Sequence, residues 1–303
     1  MIALDNTVRR ALEDEWPDGL LESLPQINLP SALQSGAIAA LKSKVLDEKI
    51  AITLQMAKLW FSHQLSLTAP SGKFALENSV PERPGRPDKP ELVHPMKVKK
   101  RKLNSKQGQI ALLHSLAHIE LNAIDLALDV IARFAREPMP RSFYDGWVQV
   151  ALEEAKHFSL LRHHLQDMGA NYGDFPAHDG LWEAAQETHY SLTVRLAVVP
   201  LILEARGLDV APSMTLKLQE LGNHRGAEIL SIIYRDEQKH VAIAAKWFRF
   251  LCAREGKQPA HTFQKLVRKH FRGPLKPPFN DTARAACGLT PLFYRCLTAT
   301  NRS

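Results

Sequence analysis

The sequence predicts an all-α protein whose central part is a four-helix bundle built around two metal ions. Three observations predict it. Glu154-x-x-His157 and Glu237-x-x-His240 follow the lone glutamates Glu120 and Glu204 at matched distances of 34 and 33 residues. The residues that share a helix face with these six are apolar, as in a helix turned towards a core. Chain breakers stand halfway between the ligands, where antiparallel helices holding them at one level must turn: Glu137-Pro138 in the first half and Gly222-Asn223 in the second. A dinuclear bundle needs one Glu from each of two helices and a Glu-x-x-His from each of the other two. Spacing of i, i+3 puts both members of a pair on one face.

Residues 1–67 read as an N-terminal helical extension. Its amphipathic stretch from Ser31 to His63 runs through Ile38, Leu41, Val45, Ile50, Leu54 and Trp60. Residues 68–104 form a Pro-rich and basic arm. In it Pro81, Pro84, Pro87 and Pro90 recur every third residue, the repeat of an extended polyproline segment. The bundle occupies 105–254. Its first helix (about 105–137) places Leu113, Ala117, Ile124 and Ile131 on the face of Glu120. The second (about 143–168) follows Ser142, with Asp145 as a capping-box partner, and stops at Gly169. Residues 169–180 make a loop long enough to cross along a bundle. The third helix (about 181–206) carries Glu204 and is expected to break over Gly207–Pro212. The fourth (about 224–254) carries Glu237 and His240. Residues 255–303 are a C-terminal extension, rich in Gly and Pro around 273–278.

Bulk properties narrow the classes. At 303 residues the chain can bury a large core in one main domain. There is no run of about 20 apolar residues to span a membrane. Nor does the N-terminus carry the basic and apolar regions of a signal peptide. Three cysteines in no metal-type spacing fit a reducing compartment, so a cytoplasmic monomer or homodimer is expected. Of the net charge of +7, six positive charges come from Lys97, Lys99, Lys100, Arg101, Lys102 and Lys106. A solvated linker accounts for such a run, and an anionic partner such as RNA could also meet it, although no aromatic is interleaved for base stacking.

Four carboxylates and two imidazoles form an oxygen- and nitrogen-rich donor set without thiolate, which suits iron or manganese and argues against structural zinc. The metal ligands expected are Glu120, Glu154, His157, Glu204, Glu237 and His240. The cofactor expected is two iron ions, with manganese or a mixed pair as alternatives. Glu153 and Asp236 directly precede the pairs and are candidates for accepting the second N–H of a ligating histidine. Lys156 and Lys239 could pair with those acids. Tyr190 and Tyr234 are further candidates for a place beside the metals, with core packing as the competing reading. Trp147 and Trp247 read as core. His114 and His118 lie about 120° and 160° round the helix from Glu120, which places them at the surface or behind the ligands. His163 and His164 near a helix C-terminus favour the dipole there.

The segments Glu153–His157 and Asp236–His240 are similar to the (Asp/Glu)-Glu-x-Arg-His motif of ferritin-like di-iron carboxylate proteins, with Lys in place of Arg. Ala117–Leu126, Pro176–Trp182, Leu203–Asp209 and Tyr234–Val241 resemble the bacterial family called domain of unknown function 455, over roughly residues 75–280. The resemblance implies a ferritin-like fold and no settled activity. Ferritin-like relatives include storage ferritins, peroxidases and di-iron hydroxylases, one of which acts on tRNA. The leading expectation is an oxidoreductase that activates O2 to oxidise or hydroxylate an organic substrate, a small molecule or an RNA. The alternatives are an iron-handling ferroxidase or storage protein, and a scaffold in which metal serves stability alone.

Overall fold

The computed structural model describes residues 15–68, 79–99, 101–271 and 273–298. The helical reading of residues 1–14, the arm residues 69–78 and Lys100 of the basic run lie outside the described residues. Within them the chain is helical, with isolated β-bridges and no strand. No helix there is long and apolar enough to cross a membrane. Two compact units are formed, Met1–Trp182 and Glu183–Ser303.

The first unit contains α1 (Leu20–Ser23), α2 (Leu33–Lys42), α3 (Leu46–Phe61), α4 (Lys106–Arg133) and α5 (Arg141–Asp167). The expected single stretch over 31–63 is two helices. Ser43 and Val45 adopt extended backbone between them, and the Ser43 hydroxyl shares its one proton between the Val45 carbonyl at 3.1 Å and the Glu48 carboxylate at 3.2 Å. Serine here satisfies itself outside a helix, as short hydroxyl side chains do.

Helices α4 and α5 form an antiparallel hairpin whose turn, residues 134–140, contains Pro138. Buried Tyr144 ties the turn down by donating to the Phe134 carbonyl at 3.0 Å. Ser105 caps α4, its Oγ accepting the Gly108 N–H at 3.1 Å. The expected capping box at Ser142 does not form. Helix α5 starts two residues earlier, after Pro140, and the Asp145 carboxylate accepts the Trp60 indole N–H of α3 at 2.9 Å. A tertiary partner has replaced the local one. The arm lies along these helices. Its Gly85 N–H donates to the Leu41 carbonyl at 2.6 Å, and a Cβ at Gly85 would stand 2.2 Å from the Lys42 carbonyl oxygen, so glycine alone fits.

The second unit holds most of α6 (Gly180–Glu187), then α7 (Leu192–Val198), a π-helical segment (Val199–Glu204), α8 (Arg206–Glu220), α9 (His224–Arg254), α10 (Pro259–His270), α11 (Asp281–Ala286) and α12 (Pro291–Tyr294). The expected third helix, continuous over 181–206 and broken over 207–212, is corrected on both counts. It is interrupted over residues 188–191, and Gly207 and Pro212 lie inside α8. Proline lacks the N–H that would bond the Leu208 carbonyl, yet that carbonyl accepts from Asn280 Nδ2 at 3.2 Å. A side chain from the C-terminal extension thus makes the helical proline tolerable. The real irregularity begins at Pro200. Without its N–H the ladder shifts to the wider spacing, shown by the Ala205 N–H on the Pro200 carbonyl at 3.0 Å. The turn between α8 and α9 falls at Gly222, at φ 77°, and Asn223, whose Oδ1 caps the Gly226 N–H at 2.9 Å.

Candidate metal centre

In the first unit, α4 presents Glu120 and α5 presents Glu154 and His157. All three are buried, and they offer ligand atoms within 4.8 Å of one another. His157 Nδ1 lies 3.2 Å from Glu154 Oε2 and 3.3 Å from Glu120 Oε2. The contact with Glu154 is a hydrogen bond. The one with Glu120 is an ion-pair contact only, and by hydrogen-bond geometry Glu120 Oε2 is buried without a partner. Burial, and after it the Glu154 charge, push the Glu120 carboxyl up to about 8. Two carboxylates facing one imidazole in a dry site are short of positive charge. A divalent cation supplies what is missing, so the residues fit a metal.

In the second unit, α9 carries Glu237 and His240, both buried, with Glu237 Oε2 3.8 Å from His240 Nδ1. Glu204 is the last residue of the π segment and is partly exposed. Gly207, one turn further on, would place a Cβ 4.0 Å from Glu237 Cγ, which locates the start of α8 against Glu237.

The supporting residues fall unevenly. Glu153 accepts from Gln149 at 3.1 Å, and Asp236 holds Lys239 at 3.0 Å and Arg235 at 3.2 Å. Lys156 reaches Glu15 at 3.3 Å. Tyr234 OH accepts from Asn280 Nδ2 at 3.2 Å. Tyr190 is not brought to the carboxylates: it is 58 % exposed and bonded to His270 at 3.2 Å. Trp147 and Trp247 are buried, and the Trp147 indole N–H, two turns before Glu154 on its face, has no acceptor.

His114 and His118 are buried rather than superficial. His114 Nε2 accepts the Gly173 N–H at 2.9 Å, and His118 Nδ1 meets Tyr172 OH at 2.9 Å, so together they pin the loop that follows α5. Burial pushes both imidazoles down to about 4.

Sequence reasoning missed one device that occurs in both units. Five residues after each lone glutamate stands an aspartate, Asp125 after Glu120 and Asp209 after Glu204, each with a fully buried side chain. Asp125 bonds buried Lys49 at 2.6 Å and Arg86 of the arm at 3.4 Å. Asp209 accepts buried Arg284 on both oxygens at 2.7 and 2.8 Å, and Arg206 at 3.1 Å. The signal was present as an acid inside an apolar run, where an unpaired charge would be costly.

A protein of Haemophilus influenzae described as uncharacterized is 42% identical over 209 residues, covering 67% of this chain and 73% of its own length. No solved structure matches the chain. The model of the family described as "Protein of unknown function (DUF455)" matches residues 42–295, and the chain belongs to that family.

Proposed function

We propose that Glu120, Glu154, His157, Glu204, Glu237 and His240 hold two metal ions, iron in the first instance, in a ferritin-like four-helix arrangement, and that the protein is an O2-dependent oxidoreductase. The observation that carries this reading is the buried trio Glu120, Glu154 and His157, whose ligand atoms lie within 4.8 Å of one another, a donor set that fits a divalent cation. The second Glu–(Glu-x-x-His) unit supplies the same residue types again. When bound, two iron ions would supply the electrons that activate O2. The chain's part is to neutralise their charge with four carboxylates, to leave coordination positions open by offering one imidazole per metal, and to keep water away through the apolar faces of α4 and α5. Burying Glu120, Glu154 and Glu237 merely to hold helices together would be an expensive way to gain stability, which weighs against a scaffold.

Metal analysis of protein purified without added metal should give two ions per chain, and the anaerobically reduced protein should consume O2. Glu154→Ala and His240→Ala should each lose dinuclear loading and O2 uptake. Either variant retaining two metals per chain would overturn the ligand assignment. Iron far in excess of two per chain, in a large assembly, would point to storage. Metal that raises the melting temperature without O2 uptake would point to a scaffold.

A further inference from the structure

Beside the π segment the second unit contains a cavity of about 530 Å³, within the range of small-molecule sites. Ile202 and Leu203, the two residues before Glu204, form one wall, and Phe271, Leu275 and Phe279 contribute apolar surface from the C-terminal extension. The charged groups of the lining are all cationic: Arg206, Lys276 and Arg284. Arg284 is committed, because both of its bonds to Asp209 are made by a side chain only 3% exposed. One carboxylate therefore serves two guanidiniums. Arg206 spends a single nitrogen, Nη1, on Asp209 and on the carbonyls of Lys276 and Pro278, while its side chain stays 38% exposed. Lys276 is exposed. The cavity is thus apolar in its walls and carries a surplus of positive charge on Arg206 and Lys276.

We infer that this cavity binds a small monocarboxylate with an apolar body, its carboxylate met by Arg206 and Lys276 and its body lying against Ile202, Leu203 and the two phenylalanines. An apolar body gains by leaving water for such walls, and a carboxylate matches a guanidinium and an ammonium that lack a full set of anions. That the occupant is also what the metal centre oxidises rests on the function proposed above, Leu203 and Arg206 of the lining flanking Glu204 in sequence. The binding claim itself does not depend on metal.

Decanoate is a suitable probe, titrated calorimetrically into the full-length protein as purified, with 1-decanol and decylamine as matched apolar controls. One decanoate should bind per chain, and decanol and decylamine at least tenfold more weakly. Lys276→Glu, an exposed substitution, should weaken decanoate about tenfold with an unchanged circular dichroism spectrum. Glu154→Ala should bind decanoate as the parent does, which separates this claim from the metal assignment. Absence of decanoate binding at 1 mM, equal binding of decanol, or indifference to Lys276→Glu would each overturn the inference. A chain that loads two metals and ignores decanoate would keep the proposed centre and lose this pocket. One that binds decanoate without taking metal would do the reverse.

Discussion

Each unit sets a lone glutamate on one helix and a Glu-x-x-His on the next, and each places a buried aspartate five residues after the lone glutamate. Around that shared plan they differ in backbone regularity and exposure. In the first unit Glu120 sits in an uninterrupted 28-residue helix, and Asp125 behind it is locked by Lys49 and Arg86, both from preceding segments. In the second, Glu204 ends a π-helical segment, is partly exposed, and is backed by Asp209 through Arg284 of the C-terminal extension. The same anchoring device is supplied from opposite ends of the chain. In both units the aspartate anchors the helix to a buried cation, while the backbone that carries the glutamate is regular α-helix at Glu120 and the wider π turn, which has more latitude, at Glu204. π-Helical turns are often found where function needs that latitude.

The comparison is most severely tested at the aspartates. Asp125→Ala should cost about 3–5 kcal/mol in chemical denaturation, because it strands Lys49 in the interior. Asp209→Ala should cost less, because Arg206 is partly solvated and only Arg284 is left buried. The reverse order would mean that the second unit is the stiffer one. Next come the glutamates themselves. In metal-free protein near neutral pH, Glu120→Gln should stabilise by ~1–2 kcal/mol, because it spares a carboxyl held up to about 8 the cost of taking up a proton on folding, whereas Glu204→Gln should change stability by less than ~0.5 kcal/mol, as at other partly exposed sites. Equal effects would erase the contrast between the two halves.

Smaller effects sharpen the picture within the first unit. Burial holds the His114 imidazole at about 4, below its unfolded value of roughly 6.5. The unfolded chain takes up that proton first, so His114 contributes its full share of stability above pH 6.5 and loses it as the pH falls towards 4. His114→Gln should flatten the fall of the thermal midpoint over that window, and a parallel curve would remove His114 as the source. Smallest is Trp147→Phe. Because the indole N–H has no acceptor, its removal offsets the cavity that the smaller ring leaves, and the net change should stay within about 1 kcal/mol. A loss well beyond that cavity cost would show that this N–H finds a partner in solution.

Much of the candidate site was legible because ligand spacing is local. Glu-x-x-His follows from helix periodicity alone, and Pro138 and Gly222-Asn223 announce turns whatever surrounds them. The failures share the opposite character. Pro212 reads as a breaker until Asn280, distant in sequence, is seen to satisfy Leu208. Asp145 reads as a cap until Trp60 takes it. The partnership of Lys49 with Asp125 could not be read from either residue, because a lysine in an amphipathic helix looks solvated until its partner's helix arrives. The π segment had a local sign, Val198-Val199-Pro200, with two β-branched residues ahead of a proline. Gly207–Pro212 was the more obvious breaker and drew the expected break to the wrong side of Glu204.

The anchoring of the first unit also has a consequence for how the chain is made. Gln34 bonds the carbonyl of Ala132, 98 residues downstream, and Lys49 waits for Asp125, 76 residues downstream. At roughly 5–20 residues per second, α2 and α3 leave the ribosome about 4–20 s before the helix that receives them. For that interval the faces that α4 and α5 will cover stay open, and the future buried ammonium has only the Ala40 carbonyl of α2, 2.8 Å away in the folded protein, to meet. Helices α4 and α5 face no such delay, being neighbours in sequence. The N-terminal third of the chain is therefore where a nascent-chain chaperone would find the longest opportunity to bind.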